Sequence, residues 1–120
     1  MADSVLLIKS KDFAIKIVNL CKSLKITSKD YTLSNQLLRS GTSIGANIHE
    51  SKYAHSTADF ASKMQIALKE CYETEYWLEL LFRTEYIREE DYNVLNSECI
   101  QIKKMLIASI NTVKNKESTN

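Results

Sequence analysis

FASKMQIALKECYETEYWLELL, Phe60 to Leu81, sets Phe60, Met64, Ala67, Cys71, Thr74, Leu78 and Leu81 on alternating steps of four and three. That spacing holds one stripe against a partner helix for three heptads, the seam of a left-handed bundle. Three other segments repeat it. Phe13, Ile17, Leu20 and Leu24 step by four, three and four, with Ala14, Val18 and Cys21 widening the face. Leu33, Leu37, Gly41, Ile44 and Ile48 share a face, and so do Tyr92, Leu95, Cys99, Ile102, Leu106, Ser109 and Val113. Strand alternation of period two is sustained nowhere.

Boundary chemistry agrees with these stripes. Thr27 with Asp30, and Ser56 with Asp59, have the spacing of capping boxes that open a second and a third helix. Glu89, Glu90 and Asp91 place negative charge in the first turn of a fourth, where the helix dipole favours it. The chain of 120 residues has no proline and two glycines. Turn formers are therefore scarce, and long helices with short links follow. The expectation is one all-α domain over 1–120, with helices at about 10–25, 28–51, 56–84 and 89–114. Short links make neighbours antiparallel, so the fold is an up-down-up-down four-helix bundle. The two-residue start and the KNKESTN end are expected to fray.

No run approaches the ~18 apolar residues of a membrane span. MADSVLLIKSKDF lacks a basic n-region and a cleavage site, so a cytoplasmic protein with no membrane partner is expected. Cys21, Cys71 and Cys99 fall on the apolar stripes without any C-x-x-C pattern and read as buried free thiols.

Both glycines lie in RSGTSIGANIHES, Arg39 to Ser51, one turn apart. Each costs about 1 kcal/mol relative to alanine in a helix interior. With Ser40, Ser43 and Ala46 they form a low surface that admits another backbone or a large aromatic. One reading is a tight crossing against helix three of the same chain; the other is a contact between protomers. Tyr72, Tyr76 and Trp77, with Leu80 and Phe82, stand off the core stripe of helix three and favour an oligomeric surface. Gly41, Ile44, Gly45, Asn47, Ile48, Glu50, Tyr72, Tyr76 and Trp77 are the residues expected at helix packing or at such an interface.

No catalytic constellation is legible. His49 and His55 are six apart and share no helix face. Glu-x-x-His, H-E-x-x-H, the P-loop and G-x-G-x-x-G are all missing from the sequence, and the letters G-x-S-x-G occur only as Gly41 to Gly45, inside the helical stripe and not at a strand-to-helix turn. Asn47, His49, Glu50 and Ser51 cluster where helix two ends, and hydrogen bonds to helix ends or to a neighbouring chain are expected there. Glu70, Glu73, Glu75 and Glu79 read as a solvated acidic face or as partners for cations on a neighbouring helix. A non-enzyme without catalytic residues, metal or cofactor is expected.

Charge is uneven. Residues 1–55 carry a net +4, 56–98 carry −6 and 99–120 carry +3. Lys16, Lys22, Lys25, Arg39 and Lys52 are the candidate contacts to a phosphate backbone, whose binding depends on counterion release. The whole chain is nonetheless near neutral, with pI ≈ 7.7. Complementary faces serve equally well to hold an assembly together.

QLLRSGTSIGANIHE, Gln36 to Glu50, and the following ADF…KMQIALKE…ET…YWLELL resemble the 23S ribosomal-RNA intervening-sequence family of bacterial four-helix-bundle proteins. KDFAIKIVNL and EYIREEDY fit too, so the likeness covers nearly the whole chain. It implies a small cytoplasmic bundle assembled as a cyclic homopentamer, in a family whose members mostly lack an assigned activity. The accessory protein of diversity-generating retroelements is similar in fold, pentameric and associated with nucleic acid and a reverse transcriptase. By carry-over, Arg39, Gly41, Ile44, Gly45, Asn47, Ile48 and Glu50 are the motif positions of helix two. Similar proteins often have a glycine where this chain has Glu85, which implies a strained left-handed cap or a different helix end. The retroelement protein is also strongly basic, and this chain is not. Two functions follow as expectations: a homo-oligomer that contacts structured RNA or a nucleic-acid-handling protein, or an assembly scaffold that binds protein alone.

Overall fold

The computed structural model describes residues 4–28 and 31–119. Four helices account for nearly all of them: α1 Ser4–Thr27, α2 Thr32–Ser51, α3 Thr57–Arg83 and α4 Glu89–Thr119. Each packs on the next in sequence, and α1 closes on α4 across the thinnest of the four seams. With such short links, this is the antiparallel up-down-up-down bundle. Among the described residues there is no strand.

The seven-residue stripe from Phe60 to Leu81 is buried in full. Phe13, Ile17, Leu37, Ile44, Ile48, Met64, Leu78, Ile102 and Leu106 meet it in one continuous core. Polar groups enter this core only where they are satisfied. Thr74 Oγ1 donates to Ser40 Oγ at 2.9 Å, tying α3 to α2, and Cys21 Sγ donates to the Ser34 carbonyl at 3.4 Å. Cys99 Sγ donates to the Cys71 carbonyl at 3.5 Å, tying α4 to α3. Among the described residues, no buried side-chain nitrogen or oxygen is left without a hydrogen bond. Cys21, Cys71 and Cys99 are all buried free thiols.

Several boundaries differ from the expected ones, each for a local reason. α1 begins at Ser4, six residues early, because Leu6 and Ser10 extend the Phe13–Ile17 stripe backwards and are buried. Ser10 does so without penalty, its Oγ donating to the Leu7 carbonyl at 3.1 Å. Thr27 closes α1 instead of capping α2; its hydroxyl donates back to the Ser23 and Leu24 carbonyls. Its expected capping partner Asp30 lies outside the described residues, and α2 starts at Thr32 behind Tyr31, which makes no side-chain cap. At α3 the expected cap is present: Ser56 Oγ accepts the Asp59 N–H at 3.0 Å. The Asp59 carboxylate reaches back one residue further than a capping box requires, to the His55 N–H at 3.1 Å.

α4 starts at Glu89 as expected but continues to Thr119, through most of KNKESTN, since no glycine or proline interrupts it. Asn120, like Met1 and Ala2 of the expected frayed start, lies outside the described residues. The buried stripe of α4 shifts from Ser109 to Ile110, which is 4% exposed. A straight 3.6-residue helix drifts in this way against a strict heptad.

Between α3 and α4, Glu85 has φ 69°. The Glu85 N–H donates to the Phe82 carbonyl at 3.0 Å and the Tyr86 N–H to the Leu81 carbonyl at 2.9 Å. This pair of bonds is the Schellman motif, whose left-handed residue is usually glycine. Replacing Glu85 with glycine is therefore expected to stabilise the fold by about 0.5–1 kcal/mol, the relieved strain exceeding the added freedom of the unfolded chain. The midpoint of urea unfolding reads this directly; an unchanged or lower midpoint would mean the cap is unstrained.

Candidate nucleic-acid interface

Long cations on a bundle surface either reach a carboxylate on the next helix or remain available to an outside anion. Which of the two holds for each lysine and arginine decides whether the basic half of the chain forms a site.

Arg39 is committed. From α2 its guanidinium reaches Glu70 at 3.3 Å and also pairs with Glu73 on α3. Glu73 in turn accepts the indole N–H of Trp77 at 3.2 Å. Lys16 is committed as well, to Glu98 of α4 at 2.8 Å. Lys103 holds Glu75 at 2.9 Å and lies 5.1 Å from the Tyr72 ring centre. That carboxylate raises the Lys103 pKa above its ordinary value, chiefly through the hydrogen bond. Lys63 pairs with Glu50 at 2.9 Å, and Arg83 pairs with Glu79 along α3 at 3.6 Å. The acidic helix is thus largely neutralised by the molecule's own cations.

Of the five expected cations Lys22, Lys25 and Lys52 remain, all exposed and in none of these ion pairs; Lys9, Lys69 and Lys104 are exposed and in none of them either. Lys25 lies over the Tyr31 ring at 5.7 Å and Lys52 over Tyr53 at 5.9 Å. His49 meets Tyr53 edge-on at 5.7 Å. Lys11, also exposed, joins them on the outer face of α1 and α2. Of the five cations expected from sequence, this face keeps three. Sequence reasoning missed Lys11, Tyr31 and Tyr53 as members, although the adjacent Lys52–Tyr53 pair was legible as a cation beside an aromatic.

The residues expected at packing or assembly surfaces separate into layers. Gly41, Ile44 and Ile48 are buried inside the chain. The glycines face α1, not helix three as the intramolecular reading expected. A Cβ at Gly41 would stand 2.9 Å from Ile17 Cγ2, and one at Gly45 would stand 3.2 Å from the Ser10 carbonyl oxygen. Asn47 donates to the Ser43 carbonyl of its own helix at 2.8 Å, and Ser51 donates to Ile48 at 2.6 Å. Tyr72 and Tyr76 are exposed. Trp77 is half-buried and meets Tyr76 edge-on at 5.0 Å.

The close approach at Gly45 opens a groove of about 610 Å³ between the first half of α1 and the last half of α2. Leu7, Ile8, Ala14, Gly45 and Ala46 contribute its apolar surface, and Lys11, Thr42, His49, Glu50 and Lys52 its polar one. Among the described residues, no group of three or more His, Cys, Asp or Glu is placed to hold a metal ion. None of the described helices is long and apolar enough to cross a membrane.

Comparison with known proteins gives a family and a structural relative. The family described as 23S rRNA-intervening sequence protein matches residues 3–108. A crystal structure of a protein of unknown function from the S23 ribosomal protein family of Bacteroides thetaiotaomicron VPI-5482 is 55% identical, with a TM-score of 0.89. The likeness covers 92% of this chain and 99% of that one. No curated protein matches.

Proposed function

The chain belongs to the 23S rRNA-intervening sequence protein family, and on that premise we propose that it is a non-enzymatic, cytoplasmic homo-oligomer that lays its α1–α2 face on structured RNA. The observation that supports this reading is the cluster of cations beside aromatic rings on the α1–α2 face. Lys11, Lys22, Lys25 and Lys52 share one face, while the carboxylates of α3 are occupied from within the molecule. Two exposed tyrosines beneath lysines add stacking surfaces, which suit bases as well as phosphates. A cyclic pentamer, the assembly implied by the family resemblance, multiplies a weak face into an avid one.

The second reading, a scaffold that binds only protein, is favoured by Ile8, Ile15 and Ile26. They stand 62%, 53% and 87% exposed along α1. Salt separates the two. The wild-type protein is expected to retain RNA on a sizing column at low salt and to release it at high salt. Reversing Lys22, Lys25 and Lys52 to glutamate is expected to weaken RNA binding about a hundredfold and to flatten the salt dependence by two to three counterions. A discrete oligomer that carries no RNA at low salt would leave the protein scaffold. Equal affinity in the triple variant would remove these lysines from the interface.

A further inference from the structure

We infer that the groove between α1 and α2 receives a single unpaired nucleotide of the bound RNA, its base on the apolar floor and its phosphates on Lys11 and Lys52. The inference rests on the RNA reading and names what that face selects.

The volume of about 610 Å³ lies in the range of small-ligand sites. Its floor is made of small residues, Ala14, Gly45 and Ala46, because the glycine brings α2 against the Ser10 backbone. A low apolar floor accepts the face of a planar ring. The charge around it is one-sided. Among the described residues, Glu50 is the only carboxylate lining the groove, and it is occupied by Lys63 at 2.9 Å. Lys11 and Lys52 are left facing an anion, with His49 as a further donor or acceptor. Tyr53 is 68% exposed beside Lys52 and His49, offering a second ring against which a neighbouring base stacks. Lys22 and Lys25 continue the cationic line along α1 from Lys11. At a helical rise of about 1.5 Å per residue, they lie roughly 16 to 21 Å further on, enough to follow a strand away from the groove.

A base stacked inside an A-form duplex cannot enter such a groove. RNA recognition of this kind selects bulges and loops, whose bases are already unstacked. The test compares two fluorescent RNAs, a fully paired hairpin stem and the same stem with one bulged adenosine. Wild-type protein, Ala46→Trp and Lys11→Gln/Lys52→Gln are titrated with each. Ala46 is exposed, so the indole fills the groove without entering the core, and circular dichroism melting checks the fold.

Wild type is expected to prefer the bulged stem about tenfold. Ala46→Trp is expected to lose that preference while keeping its salt-dependent affinity for the paired stem. Lys11→Gln/Lys52→Gln is expected to bind the bulged stem about tenfold more weakly. Equal wild-type affinity for the two stems overturns the inference and leaves the RNA reading intact. A bulge preference that survives Ala46→Trp also overturns it. Binding to neither RNA overturns both. A change of oligomeric mass in Ala46→Trp with the bulge preference intact assigns the groove to a second copy of the chain and overturns the inference.

Discussion

Gly41→Leu is expected to lower the melting temperature by about 10 °C or more, corresponding to a loss of roughly 3 kcal/mol. The reason lies in what the missing side chain would meet. A Cβ at Gly41 stands 2.9 Å from Ile17 Cγ2 and 3.0 Å from Ile17 Cγ1. Ile17 is fully buried, and a β-branched side chain in a helix has essentially one χ1 rotamer. Those methyl and methylene carbons cannot swing aside; α1 itself must move. Even Gly41→Ala, which gains about 1 kcal/mol of helix propensity, is expected to come out destabilising by about 1 kcal/mol.

The contact is specific enough to test as a pair. Ile17→Ala removes both offending carbons, so Gly41→Ala is expected to become neutral or stabilising in that background. Thermal melts of the four proteins give the coupling. A Gly41→Ala protein as stable as wild type, or costs that simply add, would sink this account. Gly45 meets the Ser10 carbonyl oxygen at a looser 3.2 Å, so Gly45→Ala is expected to cost less than Gly41→Ala. A change of mass with no loss of stability would instead put the glycines between protomers.

This contact also marks where sequence stopped being informative. The Phe60–Leu81 stripe was readable because its seven buried positions repeat on steps of four and three, and only Thr74 among them is polar. α1 was read six residues short because Ser10 interrupts the apolar pattern. A serine that donates to its own helix carbonyl is admitted to a core, and composition does not reveal that. The two glycines announced a close approach but not its partner. Which helix faces them depends on the rotation of α2 in the bundle, a tertiary quantity. Glu85 was legible only through the family resemblance, as a strained cap or a different helix end, and its φ of 69° decides for the strained cap. The cationic site was half legible for the opposite reason. Arg39 and Lys16 look as free in sequence as Lys22 and Lys25. Only the register of α2 on α3, and of α1 on α4, brings Glu70, Glu73 and Glu98 to them.

The buried thiols supply the second large effect, an alkaline collapse of stability. Burial pushes Cys21 up to about 11 from its ordinary 9.0. Cys71 is pushed up much further, first by its hydrogen bond with Cys99 and then by burial. In the unfolded chain these thiols ionise near pH 9; in the folded protein they keep their protons. The folded state therefore binds more protons above pH 9, and stability falls as pH rises. The contribution is fully present below pH 9. For Cys21 it is lost up to about pH 11, and for Cys71 the loss continues beyond. Lys103, whose pKa is raised by Glu75, acts in the same direction as pH passes its ordinary 10.5.

Each thiol held protonated in this way costs about 1.4 kcal/mol per pH unit. Cys21 alone removes roughly 3 kcal/mol between pH 9 and 11, and Cys71 adds to that loss, a large share of the stability of a small domain. Urea unfolding at pH 8, 9, 10 and 11 is therefore expected to give a steeply falling stability in the wild type. Cys21→Ala/Cys71→Ala, less stable at neutral pH through lost packing, is expected to fall much less steeply and to overtake it near pH 11. Every other titratable group is common to both proteins and drops out of the difference. Parallel curves for the two proteins would show that the thiols do not govern the alkaline limit. A wild-type stability that stays flat to pH 11 would mean that Cys21 and Cys71 ionise inside the fold as readily as outside it, which their burial against α2 and α4 opposes.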